Sequence, residues 1–137
     1  MKHVPFGLHL MLDLYNCSQK ALNDKHLVKK ILNELPDKLG MHKMIEPVVM
    51  WADANDKKDP GGYSGFVMIQ ESHISIHTFI GRGFVTIDAY SCKEFDTDAA
   101  IDYFKKAFGT NEAEIHVVDR GTDYPDENIL PGVVFPN

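Results

Sequence analysis

Eight residues constrain this chain more than any others: Glu71-Ser72-His73-Ile74-Ser75-Ile76-His77-Thr78. Ile74 and Ile76 alternate with Ser75 and His77, the period of a strand with one apolar face. The run just before it, Ser64 to Gln70, is also strand-like, and Ile80-Gly81-Arg82-Gly83 reads as a turn after it. Next comes Phe84 to Ser91, with Phe84, Thr86, Asp88 and Tyr90 on one face and Val85, Ile87 and Ala89 on the other. A crossover between parallel strands needs a dozen or more residues, so these three strands pair antiparallel.

The rest of the chain supplies edges and a covering layer. Val4 to Tyr15 alternates Leu8, Leu10, Leu12 and Leu14 with Gly7, His9, Met11 and Asp13, a strand whose polar face carries His9 and Asp13. Asn23 or Asp24 caps a helix with Leu27, Val28, Ile31, Leu32 and Leu35 at helical spacing, and Pro36 breaks it or opens a short extra turn. Met44 to Ala52 is a further strand, and Trp51, the only tryptophan, reads as core. Asp53 to Gly62 is a polar loop and the best candidate for a mobile segment. Asp96 or Thr97 caps a second helix with the stripe Ala100, Ile101, Phe104 and Phe108, and Gly109 ends it. Ala113 to Val118 is the last strand. From Arg120 a tail with Pro125, Pro131 and Pro136 reads as irregular. The order is β-α-β-β followed by β-β-α-β. It predicts one α+β domain over residues 1–137, a two-layer sandwich with two helices on one face of a mostly antiparallel sheet.

Bulk properties narrow the function. A chain of 137 residues, 44% hydrophobic, holds a real core. No apolar run approaches the ~18 residues of a transmembrane helix, and Met1-Lys2-His3-Val4-Pro5 carries no apolar leader. A formal charge of −6 argues against nucleic acid as partner. Cys17 and Cys92, the only cysteines, read as free thiols of a cytoplasmic protein.

Polar groups this dense in an apolar strand are costly unless paired or used. Metal binding by His73 and His77 fits poorly: in a strand they stand roughly 13 Å apart at ~3.3 Å per residue. A Ser-His or Cys-His nucleophile pair lacks its usual setting, because Ser72 sits between Glu71 and His73 rather than in a Gly-x-Ser-x-Gly elbow.

The motif together with its surroundings resembles the self-processing site of the bacterial and archaeal pyruvoyl-dependent S-adenosylmethionine decarboxylases. Gly7-Leu8-His9 with Asp13 and Cys17 is similar to that family's opening strand. Pro60, Gly62, Ser64 and Gly65 resemble the segment before its cleavage site, Asp88 and Cys92 fall at its strand aspartate and catalytic cysteine, and Arg120-Gly121 resembles its closing pair. The resemblance implies that Ser72 Oγ attacks the carbonyl of Glu71, and that the ester so formed eliminates to cut the chain between 71 and 72. Ser72 then becomes a pyruvoyl group, which forms a Schiff base with an α-amine and draws off electrons as carbon dioxide leaves. It further implies that Ser64 and His77 assist processing and that Cys92 returns a proton to the α-carbon. A homodimer with active sites near its interface, no metal, and a place in spermidine and polyamine biosynthesis as source of the aminopropyl donor also follow from it. Ser72 and His77 are five residues apart, so in an unbroken strand they face opposite sides. They act together only through a bulge, a turn or a neighbouring strand.

Two departures concern substrate recognition. The family usually reads His-Thr-Trp-Pro-Glu, with the glutamate on the ribose hydroxyls, whereas this chain reads His77-Thr78-Phe79-Ile80-Gly81. A phenylalanine that stacks the adenine is replaced by Lys58; Phe79 retains a stacking surface, smaller than tryptophan's. The resemblance therefore implies S-adenosylmethionine as substrate, with arginine or ornithine, decarboxylated by the same chemistry, as the alternative. An unprocessed relative that only binds a ligand or a true decarboxylase is a further reading.

Overall fold

The structure of the chain, a computed structural model, describes residues 4–125. Six strands form one sheet: β1 (Gly7–Tyr15), β2 (Val48–Ala52), β3 (Gly62–Ile69), β4 (Ser72–Phe79), β5 (Phe84–Ser91) and β6 (Glu112–Arg120), in the order β2-β3-β4-β5-β1-β6. Every neighbouring pair is antiparallel. The connections that the sequence leaves too short for a crossover are a two-residue tip, Gln70–Glu71, and a 3-10 turn, Ile80–Arg82.

The period-two alternation assigns the faces. Leu10, Leu12 and Leu14 of β1, Val67 of β3, Ile74 and Ile76 of β4, and Val85 and Ile87 of β5 are all buried on one side. The covering helices are α2 (Lys25–Lys38) and α3 (Thr97–Phe108), with a single extra turn, α1 (Gln19–Leu22). Asp24 caps α2 through the Leu27 N–H and Asp96 caps α3 through the Ala99 N–H, as their side chains predict. Gly109 ends α3 at φ 66°, the left-handed conformation that glycine adopts without strain. At Gly65 an added Cβ would lie 2.9 Å from Leu32 Cδ1 and 3.0 Å from Val49 Cγ2; the missing side chain lets α2 settle onto β3.

The expected α+β sandwich is therefore the observed fold, with differences in detail: the strand expected from Met44 begins only at Val48, and a short helix, α1, precedes α2. Pro36 does not break α2, which runs on to Lys38. The missing donor removes only one rung near the helix end, and Pro36 is buried like Leu35 before it. Trp51 is not core: it is 52% exposed at the edge strand, against Tyr63 and bonded to Asp53. An edge strand has a neighbour on one side only, so its aromatic side chain is half covered. Strand β6 extends to Arg120 because it pairs with β1 along its whole length. The tail's three prolines predicted irregularity, but of these only Pro125 is among the described residues.

Candidate active site

The helix-free face of the sheet carries His9 of β1, Ser64 of β3, His73 and His77 of β4, and Asp88 of β5. There Ser64 of β3 stands opposite His77 of β4, and Ser64 Oγ and His77 Nδ1 share a hydrogen bond of 2.8 Å. On the same face the His9 Nε2–H donates to Asp88 Oδ1 at 2.9 Å. Tyr90 lies between His9 and His73, 5.8 Å from each ring, with the Arg120 guanidinium 4.1 Å over its own ring.

The Glu71–Ser72 bond lies at one end of this sheet, where the β3–β4 hairpin turns. Ile69 pairs with Ser72, so Gln70 and Glu71 are the tip, and Ser72 also pairs with Ser91 of β5. The ladder continues one step past the strands: the Cys92 N–H donates to the Glu71 carbonyl oxygen at 2.9 Å. A polarised carbonyl joined to a half-buried serine is a suitable start for acyl transfer to the hydroxyl. The Cys92 side chain is exposed at the same place, whereas Cys17 is buried.

Glu71 is itself held. Its carboxylate is only 3% exposed and accepts the His42 backbone N–H at 3.0 Å and the His42 Nδ1–H at 2.7 Å. Burial raises the carboxyl's proton affinity, but the hydrogen bonds from His42 and from Glu71's own backbone, with the His42 charge, together outweigh it and keep the pKa below the ordinary carboxylate value. His42 is the site residue that spacing does not reveal. It lies 29 residues from Glu71, in the segment after α2 that runs beside the end of β3. Gln70 N–H donates to His42 O at 2.8 Å, and Met44 N–H to Met68 O at 2.9 Å.

The fold thus joins Ser64 to His77 and Glu71 to Cys92, and keeps the two pairs apart. Strand β4 is continuous from Ser72 to Phe79. His77 is therefore about 16 Å along it from Ser72, at ~3.3 Å per residue, and on the opposite row. Phe79 is farther still, at the other end of β4, stacked on Phe84 at 5.6 Å. Gly81 follows it, where an added Cβ would meet Pro60 Cβ at 3.3 Å. The Asp53–Gly62 loop is tied to this turn, since Arg82 donates to the Lys57 carbonyl at 2.7 Å. A hollow of about 560 Å³ lined by Asn16, Lys105 and Glu112 opens where Tyr15 pairs with Glu112, at the opposite end of β1 from the Leu8–Ser91 pair. It is remote from the Glu71–Ser72 bond.

Comparison with known proteins gives one answer at every level. The S-adenosylmethionine decarboxylase family profile matches residues 8–121. The S-adenosylmethionine decarboxylase proenzyme of Anoxybacillus flavithermus is 35% identical over 115 residues, covering 84% of this chain and 87% of that protein. The proenzyme of Pyrococcus abyssi is 30% identical over 122 residues, covering 88% and 83%. The crystal structure of the adenosylmethionine decarboxylase from Aquifex aeolicus superposes with a TM-score of 0.70, covering 96% of this chain and 98% of that one at 24% identity, which speaks for the fold.

Proposed function

Because the chain belongs to the S-adenosylmethionine decarboxylase family, we propose that it cuts itself between Glu71 and Ser72 and then decarboxylates S-adenosylmethionine. The product is the aminopropyl donor for spermidine. The observation that carries this reading is the Glu71 carbonyl at the hairpin tip, receiving the Cys92 N–H one bond from Ser72. The Ser72 Oγ–C bond forms as the Glu71–Ser72 C–N bond breaks, and the hydroxyl proton passes to the freed amine. Loss of the Ser72 α-proton then breaks the ester, leaving Glu71 as a carboxylate. Water releases ammonia from the serine remnant. The pyruvoyl group left there supplies an electron sink for loss of carbon dioxide from an amino acid bound through its amine. The residues present fit that group: residue 72 is half-buried at the head of β4, and the exposed Cys92, which follows Ser72's strand partner Ser91, is the proton donor to the α-carbon.

Ser64 and His77 assist the cut, but not within their own chain, given the ~16 Å along β4 that separates His77 from Ser72. We assign them to the facing protomer of a homodimer joined through the helix-free face. That face exposes Phe66 (41%) and Met68 (46%), apolar surface of the kind that marks an interface. Phe79 is kept as a substrate contact on the same reasoning. We place the reaction in the cytoplasm, where Cys17 and Cys92 stay reduced. No helix among the described residues is long and apolar enough to cross a membrane.

One observation favours a second substrate. Gly81 has no side chain to hold the ribose hydroxyls, and a Cβ added there would meet Pro60 Cβ at 3.3 Å; a smaller amino acid such as arginine or ornithine needs no such contact. An intact mass spectrum of the denatured protein tests the shared chemistry. Fragments 1–71 and 72–137, the latter with a pyruvoyl mass at its start, are expected, and Ser72→Ala gives one uncut chain. Carbon dioxide release from each of the three substrates then chooses among them. A wild-type chain that stays whole leaves the binding relative as the better reading.

A further inference from the structure

Glu71, whose carbonyl forms the bond to be cut, also has a buried carboxylate, and nothing in the chemistry above uses it. A buried ionised carboxylate is costly unless its oxygens are bonded. Here one residue does most of that work. The His42 backbone N–H meets Oε1 at 3.0 Å and its ring Nδ1–H meets Oε2 at 2.7 Å. The His42 carbonyl takes the Gln70 N–H at 2.8 Å, so both tip residues are tied to the same point. On the other side the Cys92 N–H holds the Glu71 carbonyl at 2.9 Å. Glu71 is thus fixed at both its side chain and its carbonyl.

A free two-residue tip samples several orientations of its peptide planes, and only some present the carbonyl carbon to the Ser72 hydroxyl. Holding the reacting groups in one arrangement is itself a large contribution to rate. We propose that His42 is a positioning residue for self-cleavage: its grip on the Glu71 carboxylate holds the Glu71 carbonyl in the orientation that Ser72 Oγ attacks. The same grip keeps the end of fragment 1–71 docked after the cut. The inference rests on the proposed cleavage between Glu71 and Ser72. It concerns the rate of the acyl shift, not the identity of the amino-acid substrate.

The test follows cleavage in chains made by cell-free translation, reading the uncut fraction by intact mass against time. His42→Ala is expected to slow cleavage roughly ten- to a hundredfold, the effect of one lost hydrogen bond to a charged group. His42→Asn, whose side-chain N–H reaches about where Nδ1 does, restores most of the rate. Glu71→Ala is slow to a similar degree, and the double variant is no slower than either single one, the sign of a coupled pair. Hydroxylamine cuts an ester at Glu71 but not a peptide, so it leaves His42→Ala slow if the acyl shift is the step affected. Rescue by hydroxylamine to the wild-type rate overturns the proposal, because the ester then forms normally. So does wild-type cleavage by His42→Ala, or a slow His42→Asn whose Tm falls in step with its rate. A wild-type chain that is never cut overturns the cleavage reading and the positioning role together. Normal wild-type cleavage with an unaffected His42→Ala overturns the positioning role alone.

Discussion

At the scale of single residues, the two thiols have opposite surroundings and therefore opposite expectations. Cys92 contributes its backbone N–H to the Glu71 carbonyl and its side chain to the exposed surface beside it. Replacement by alanine keeps the first and removes the second. Cys92→Ala is therefore expected to cut itself at close to the wild-type rate yet lose decarboxylation by about 10²- to 10⁴-fold, the usual worth of a general acid. Separate assays of chain cleavage and carbon dioxide release check this; unchanged turnover removes Cys92 from the mechanism. Cys17 is buried, and burial pushes its pKa up to about 11 from 9.0. Between these values the unfolded chain gives up a proton that the folded chain keeps. Stability is therefore unaffected by this group below pH 9 and falls as pH rises from about 9 to about 11. Cys17→Ala is expected to flatten that alkaline limb in urea melts taken across the range.

At the scale of elements, one glycine shows how closely strands are fitted. An added Cβ at Gly62 would lie 1.9 Å from the Thr78 carbonyl oxygen and 2.7 Å from its carbon. These are backbone atoms of the neighbouring strand β4, so no rotamer change relieves the contact. Gly62→Ala is expected to destabilise the fold by about 1–3 kcal/mol, read as a lower Tm and urea midpoint. The Glu71–Ser72 end of the hairpin lies at the far end of β3 and β4, whereas Ser64 and His77 lie close to Gly62, so cleavage lost beyond the unfolded fraction reports on that pair. Most elements were legible from local pattern. The alternation in β1, β4 and β5, the caps Asp24 and Asp96, and the stripe Ala100-Ile101-Phe104-Phe108 all follow from side chains within a few residues of each other. Pro36 was misleading because a helix interior is judged by propensity, whereas the layer around it decides whether one lost rung matters.

At the scale of the whole molecule, the proposed dimer yields a complementation test. If Ser64 and His77 serve the bond of the facing protomer, two defective chains repair each other. His77→Ala supplies an intact Glu71–Ser72 bond, and Ser72→Ala supplies an intact His77. Refolded together, the His77→Ala chain is expected to be cut at a rate well above that of His77→Ala alone, as followed by intact mass. Equal rates with and without the Ser72→Ala partner refute the assignment. The acidic balance of −6 acts at this scale too, since it favours approach of a cationic substrate in a salt-dependent way.

The sequence by itself determined most of the strands, the two main helices, the faces of the alternating strands β1, β4 and β5, and the motif around Ser72. These depend on periods of two and 3.6 residues and on caps within one turn, which are local quantities. Only the tertiary structure decided which polar groups meet. The antiparallel register brought Ser64 onto His77 and carried the Cys92 N–H to the Glu71 carbonyl. The path of the chain after α2 laid His42 against Glu71, 29 residues away. The unbroken strand β4 kept Ser72 and His77 apart. A hydrogen bond is effective over about 3 Å of space, and separation along the chain is silent about which distant residues come that close.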